Sequence, residues 1–172
     1  MQRQEEPKGC LIAILKLFGV LPSGDTDKGD GADELPYRRK DYLLSKAERA
    51  FFETLQKAVG NRCLIFAKVR LADLLFIRRG TERRQSYFNR IRSKHIDFVL
   101  CDRDAVRPLL AIELDDSSHN RPDRKQRDTF VDSALAAAEL PILHVKARAD
   151  YDGEELARAI EEKIKAQRKD AK

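Results

Sequence analysis

The stretch IDFVLCDRDAVRPLLAIELDDSSH, residues 96–119, decides the fold. It holds two apolar runs, Ile96 to Cys101 and Leu109 to Leu114, parted by Asp102, Arg103, Asp104 and a few more residues, which is the pattern of a β-hairpin. Both strands read as buried on both faces, yet each carries a carboxylate. Strand alternation puts Asp97 on one face with Val99 and Cys101, and Glu113 on one face with Ala111 and Asp115. An ionised carboxylate left unpaired in an interior costs several kcal/mol, and two near each other cost more. A basic partner, protonation or a divalent cation would compensate. Three carboxylates on adjacent strand ends supply the hard oxygens that Mg²⁺ prefers, whereas arginines would have to satisfy all three at one place, so a metal is the expectation for Asp97, Glu113 and Asp115.

Upstream of the hairpin, Ser45 and Glu48 form a capping box, and Ala47, Phe51, Leu55, Ala58 and Val59 recur at helical spacing until Gly60. The box accounts for Glu48 by itself, although a glutamate in the first turn that points at the sheet can serve a site as well. Cys63 to Val69 suits a strand, and Leu71 to Ile77 is ambiguous between strand and helix. Downstream, a polar loop leads into a helix from about Asp123 to Ala138 with Arg127, Phe130, Val131, Ala134 and Leu135 on one face, ended by Pro141. Ile142 to Val145 is a further strand in which His144 reads as a hydrogen-bonded core histidine, and Gly153 to Gln167 closes the chain as a helix. The predicted order is αβββαβα.

The chain has 172 residues, 42% hydrophobic and 37% charged. That suits one domain with a sizeable core plus a tail, and it excludes a wholly disordered chain. No apolar run approaches the roughly 20 residues that span a bilayer. Residues 1–22 contain the apolar run Cys10 to Leu21, a docking segment for the domain itself, a protein partner or a membrane surface; sequence does not choose among these. Residues 23–36 have the composition of a flexible acidic linker, 37–167 form the domain and 168–172 a charged tail. Cys10, Cys63 and Cys101 make an odd count without metal-ligand spacing, which suits a reducing cytoplasm, with a peripheral membrane position if residues 10–21 dock there.

Charge is unevenly placed. Residues 37–95 hold 16 Lys/Arg against 5 Asp/Glu, net +11, while the segments on either side are each net −3. Arg78, Arg79, Arg83, Arg84, Arg90, Arg92 and Lys94 crowd into one stretch, interleaved with Tyr87 and Phe88. A block of this kind attracts polyanions, nucleic acid first among them. Tyr87 and Phe88 either fill the core or stack on an unpaired base. His119, four residues beyond Asp115, is a general base near neutral pH or a solvated loop histidine; its closeness to the carboxylates favours the former.

The order αβββαβ, with Glu48 on the first helix, Asp97 on the second core strand and Glu113-Leu114-Asp115 on the third, resembles the PD-(D/E)XK nuclease superfamily with its restriction-endonuclease-like α/β core, a mixed central sheet flanked by helices. More narrowly, Ile112 to His119 followed by Arg127-Asp128 is similar to an uncharacterised bacterial domain of unknown function near the very short patch repair endonucleases. The resemblance covers about Tyr37 to Ile164. It implies a Mg²⁺- or Mn²⁺-dependent endonuclease or exonuclease acting on DNA or RNA, in which Asp97, Glu113 and Asp115 hold metal. In that superfamily a lysine two residues after the glutamate assists the attacking water, and here Asp115 occupies the position. His119 is then the proton acceptor and Arg127 the cation for the phosphoryl oxygens. Lys125, turned about 200° from Arg127 around the helix, is the weaker choice. The alternative is a nucleic-acid-binding module that keeps the nuclease fold without turnover.

Overall fold

The computed structural model describes residues 35–115 and 122–170, with the backbone alone for 122–128 and 168–170. The chain divides into two compact units, Met1–Lys40 and Asp41–Lys172. Of the first, residues 35–40 are described and carry neither helix nor strand. The docking segment at 10–21 and nearly all of the acidic linker lie outside the described residues.

The second unit runs α1 (Lys46–Val59), β1 (Leu64–Arg70), α2 (Leu71–Leu74), α3 (Arg84–Ile91), β2 (His95–Cys101), β3 (Pro108–Asp115), α4 (Pro122–Ala137), β4 (Ile142–Lys146) and α5 (Gly153–Asp170). The expected αβββαβα order is present, with two short helices added in and before the basic block. Four strands form one mixed sheet in the order β1-β2-β3-β4. The first three are antiparallel, and β4 runs parallel to β3, so the connection between them must cross a face of the sheet, which α4 does. Among the described residues no helix is long and apolar enough to cross a membrane.

Each sheet face is covered. Phe98, Leu100, Leu110 and Ile112 pack with Phe51 and Leu55 of α1 and with Leu156 and Ile160 of α5. Val99, Cys101 and Ala111 pack on the other side with Leu71, Ile91 and α4's Val131 and Leu135. The buried faces of β2 and β3 are thus apolar on both sides, as their sequences require. Ser45 caps α1 through the expected box: its hydroxyl accepts the Glu48 amide at 3.3 Å, and Glu48 Oε2 accepts the Ser45 amide at 2.8 Å.

Alternation fails at one place. Ala67 and Phe98 face α1, but Val69 and Ile96, two residues along on each paired strand, join the cluster on the opposite side. The residue between Ala67 and Val69 is Lys68, whose φ of 56° lies in the left-handed region that a side chain with a Cβ rarely adopts. Regular alternation therefore does not fix the face of Asp97, whose neighbours Ile96 and Phe98 lie in opposite clusters. A strained residue inside a strand persists only where its surroundings hold it, and such residues cluster at functional sites.

Candidate active site

Asp97 sits where the sheet comes apart. The β1–β2 register places Lys68 directly across from it, between the pairs Ala67–Phe98 and Val69–Ile96. On its other side the β2–β3 ladder closes at Phe98–Ile112. Beyond that pair, Asp97 Oδ2 accepts the Leu114 amide at 3.0 Å, standing in for a backbone carbonyl as β3 turns its pairing to β4. Asp97 Oδ1 accepts from Lys68 Nζ at 2.9 Å.

The same ammonium donates to Glu48 Oε1 on α1. Lys68 therefore links the first helix to the second strand, and Glu48 both caps its helix and binds the lysine. The side chains of Glu48 and Asp97 are each 17% exposed. Burial by itself would raise the Glu48 pKa, but hydrogen bonds from Lys68 and Ser45 outweigh it and hold the carboxyl below its ordinary value. Burial pulls Lys68 down, yet Glu48 and Asp97 together raise it above the usual lysine range. The ammonium thus lies between two carboxylates, one from α1 and one from β2.

Asp115 belongs to a second arrangement. His144 of β4 pairs with Glu113 in the parallel register, and its ring lies between two aspartates: Nδ1 is 3.2 Å from Asp115 Oδ1, and Nε2 is 3.0 Å from Asp132 Oδ1 of α4. Neutral imidazole donates once, so donating to both requires the imidazolium. Burial disfavours that charge, but the two carboxylates overcome it and raise the His144 pKa. The ring is hydrogen-bonded as expected of it, but it is exposed on an edge strand rather than in the core.

Of the acidic set read from the sequence, Asp97 is thus bound to Lys68 and Asp115 to His144. Glu113 is one register step beyond Phe98–Ile112 and so opposite Asp97 across the parting strands. Among the described residues no three His, Cys, Asp or Glu side chains form a group able to hold a metal ion. Both ring nitrogens of His144 are turned to carboxylates. His119 lies outside the described residues, as do the side chains of Arg127 and Lys125, although the helix that carries the latter two is α4.

The basic block divides into two kinds of residue. Arg84 closes its own loop, donating to the Ile77 carbonyl at 2.7 Å, and Arg90 and Lys94 lie over the Phe130 ring at 4.1 and 5.0 Å. The guanidiniums of Arg78, Arg79, Arg83 and Arg92 have no hydrogen-bond or ion-pair partner among the described residues. Tyr87 and Phe88 are 49% and 41% exposed, which removes them from the core.

Sequence reading missed Lys68 and Asp132. Lys68 was legible in principle: it is one cation in an otherwise apolar strand, and antiparallel pairing of β1 with β2 sets it against Asp97.

Fold and site together define a three-layer α/β domain with a polar network at a parting of strands. The chain belongs to a family described as protein of unknown function (DUF2726), whose model matches residues 40–164. No curated protein and no solved structure matches it.

Proposed function

We propose that this domain is a metal-dependent nuclease of the PD-(D/E)XK kind, hydrolysing phosphodiester bonds in DNA or RNA, with Lys68 supplying the positive charge that Asp115 cannot. One observation carries the reading: Asp97 stands where β2 and β3 part, and an ammonium from the neighbouring strand is bound to it at 2.9 Å. Three antiparallel strands followed by a parallel fourth, after an N-terminal helix that contributes Glu48, agree with the restriction-endonuclease-like core.

Mg²⁺ is commonly held by one or two carboxylates, with substrate phosphate and water filling the remaining positions. Asp97 would hold it through the lone pairs left beside Lys68 and the Leu114 amide, with Glu113 one register step past the last β2–β3 pair, while Asp115 is bound to His144. Bound there, the ion would supply a water of lowered pKa and neutralise phosphoryl charge. The protein's own contributions are separate from that. Lys68 fixes the Asp97 carboxylate and can donate a charge-assisted hydrogen bond to a phosphoryl oxygen. His119 is the proposed proton acceptor and Arg127 a second phosphoryl cation. Arg78, Arg79, Arg83 and Arg92 hold the backbone by charge.

The test is incubation of the purified chain with circular, linear and single-stranded DNA and with RNA, in Mg²⁺, Mn²⁺ or EDTA. Cleavage in either metal, abolished by EDTA and reduced at least about a hundredfold in Asp97→Asn and Glu113→Gln, is the expected result. Equal cleavage by parent and variants would remove hydrolysis from these residues. Binding without cleavage in any metal would leave a nucleic-acid-binding module.

A further inference from the structure

A cleft of about 740 Å³ opens between the segment after α2, helix α3 and helix α4. Phe76, Ile77, Tyr87, Phe130 and Ala134 make its walls apolar, and Arg90 lies among them. Phe76 is 88% exposed and also walls an adjoining hollow with Phe88. Nothing in the packing of the domain requires a phenyl ring so fully in water.

Charge identifies what would cover it. From Phe76 to Lys94 the chain has seven Lys/Arg against one Asp/Glu, and four of the guanidiniums are uncommitted among the described residues. A second copy meeting this face with its own would bring the same positive charge against it, which opposes association. A nucleic-acid strand combines what the cleft lacks, a flat π-face on each base and a negative charge on each phosphate. In a duplex those faces are hidden in the stack, so the base must be unpaired.

We propose that this cleft seats an unpaired base of a single-stranded or locally melted nucleic acid, stacked against Phe76 and Tyr87, with the flanking phosphates on Arg78, Arg79 and Arg83. The proposal rests on the nucleic-acid half of the nuclease reading and not on hydrolysis. Stacking tolerates any base, so the cleft selects strand state more than sequence.

The test measures binding of the full chain to labelled single-stranded DNA, single-stranded RNA and duplex DNA by anisotropy, in EDTA and over a range of salt. Single strands are expected to bind more tightly than duplex, and the DNA and RNA arms tell the two sources apart. Phe76→Ala is expected to weaken single-strand binding at least about fivefold with an unchanged salt slope. Arg78→Ala with Arg79→Ala should instead flatten the salt slope, and 2-aminopurine in the strand should change its emission on binding to the parent but not to Phe76→Ala. Duplex binding as tight as single-strand binding, with Phe76→Ala inert, would overturn the proposal. So would a dimer in sedimentation that Phe76→Ala dissociates, since the cleft would then be a protein interface. Asp97→Asn should retain this binding pattern; its loss of cleavage reports on hydrolysis alone, so either reading can fail while the other stands.

Discussion

Lys68 and His144 occupy the same kind of position on different strands. Each is a cation between two carboxylates, Glu48 and Asp97 for the lysine, Asp115 and Asp132 for the histidine. They differ in permanence. Burial lowers the lysine's pKa, but its two mostly buried carboxylate partners raise it above its ordinary value. The histidine titrates, with a pKa that burial lowers and its two carboxylates raise, and those partners are more than 40% exposed. A fixed cation suits a site that must present the same charge to every substrate, whereas a titrating one makes the tie between β3, β4 and α4 depend on pH.

Removing each cation should separate the two cases. Lys68→Met leaves Glu48 and Asp97 facing each other without compensation, and a stability loss of about 2 kcal/mol is expected in urea unfolding at neutral pH. If Lys68→Met proves as stable as the parent, the lysine is not what holds the two carboxylates at the strand junction. Glu48→Gln keeps an acceptor for the helix cap but gives up the ion pair, at about 1 kcal/mol. Because the folded Glu48 pKa is lowered, that difference should be present above the ordinary glutamate value and shrink as pH falls through the lowered one.

For His144 the sign is reversed. Its folded pKa is raised, so its contribution is fully present below about pH 6.5 and is lost as pH rises through the folded value. Thermal melts of the parent should therefore decline with rising pH more steeply than those of His144→Gln, by under about 1 kcal/mol given the exposure of its partners. Parallel curves would mean that the ring is not charged in the folded state. Phe76→Ala should change stability least, within about 0.5 kcal/mol, because the ring is almost wholly in solvent; a larger loss would show that the ring packs on the domain rather than awaiting a ligand.

Much of the architecture can be read from local pattern. The runs Ile96 to Cys101 and Leu109 to Leu114 became the two interior strands, and the Ser45–Glu48 box became the start of α1, because apolar burial and capping act over a few residues. Helix α3 was not legible: Ile91 is its buried residue, so it lacks the apolar periodicity that marks a helix. The site was legible in its acids and not in their partners. Period-two alternation assumes regular strand backbone, and it fails around the left-handed Lys68, where Val69 and Ile96 change faces relative to Ala67 and Phe98. Asp132 reaches His144 through tertiary packing of α4 on the sheet edge, which no spacing in the sequence encodes.

Single-turnover cleavage of single-stranded DNA in Mg²⁺ by the parent, Lys68→Gln and Asp97→Asn, each verified as folded by circular dichroism, bears most directly on the proposed role of the Lys68–Asp97 pair. Both variants should lose at least about a hundredfold in rate while still binding the strand. A folded Lys68→Gln protein that cuts as fast as the parent would contradict the assignment of the missing cation to Lys68.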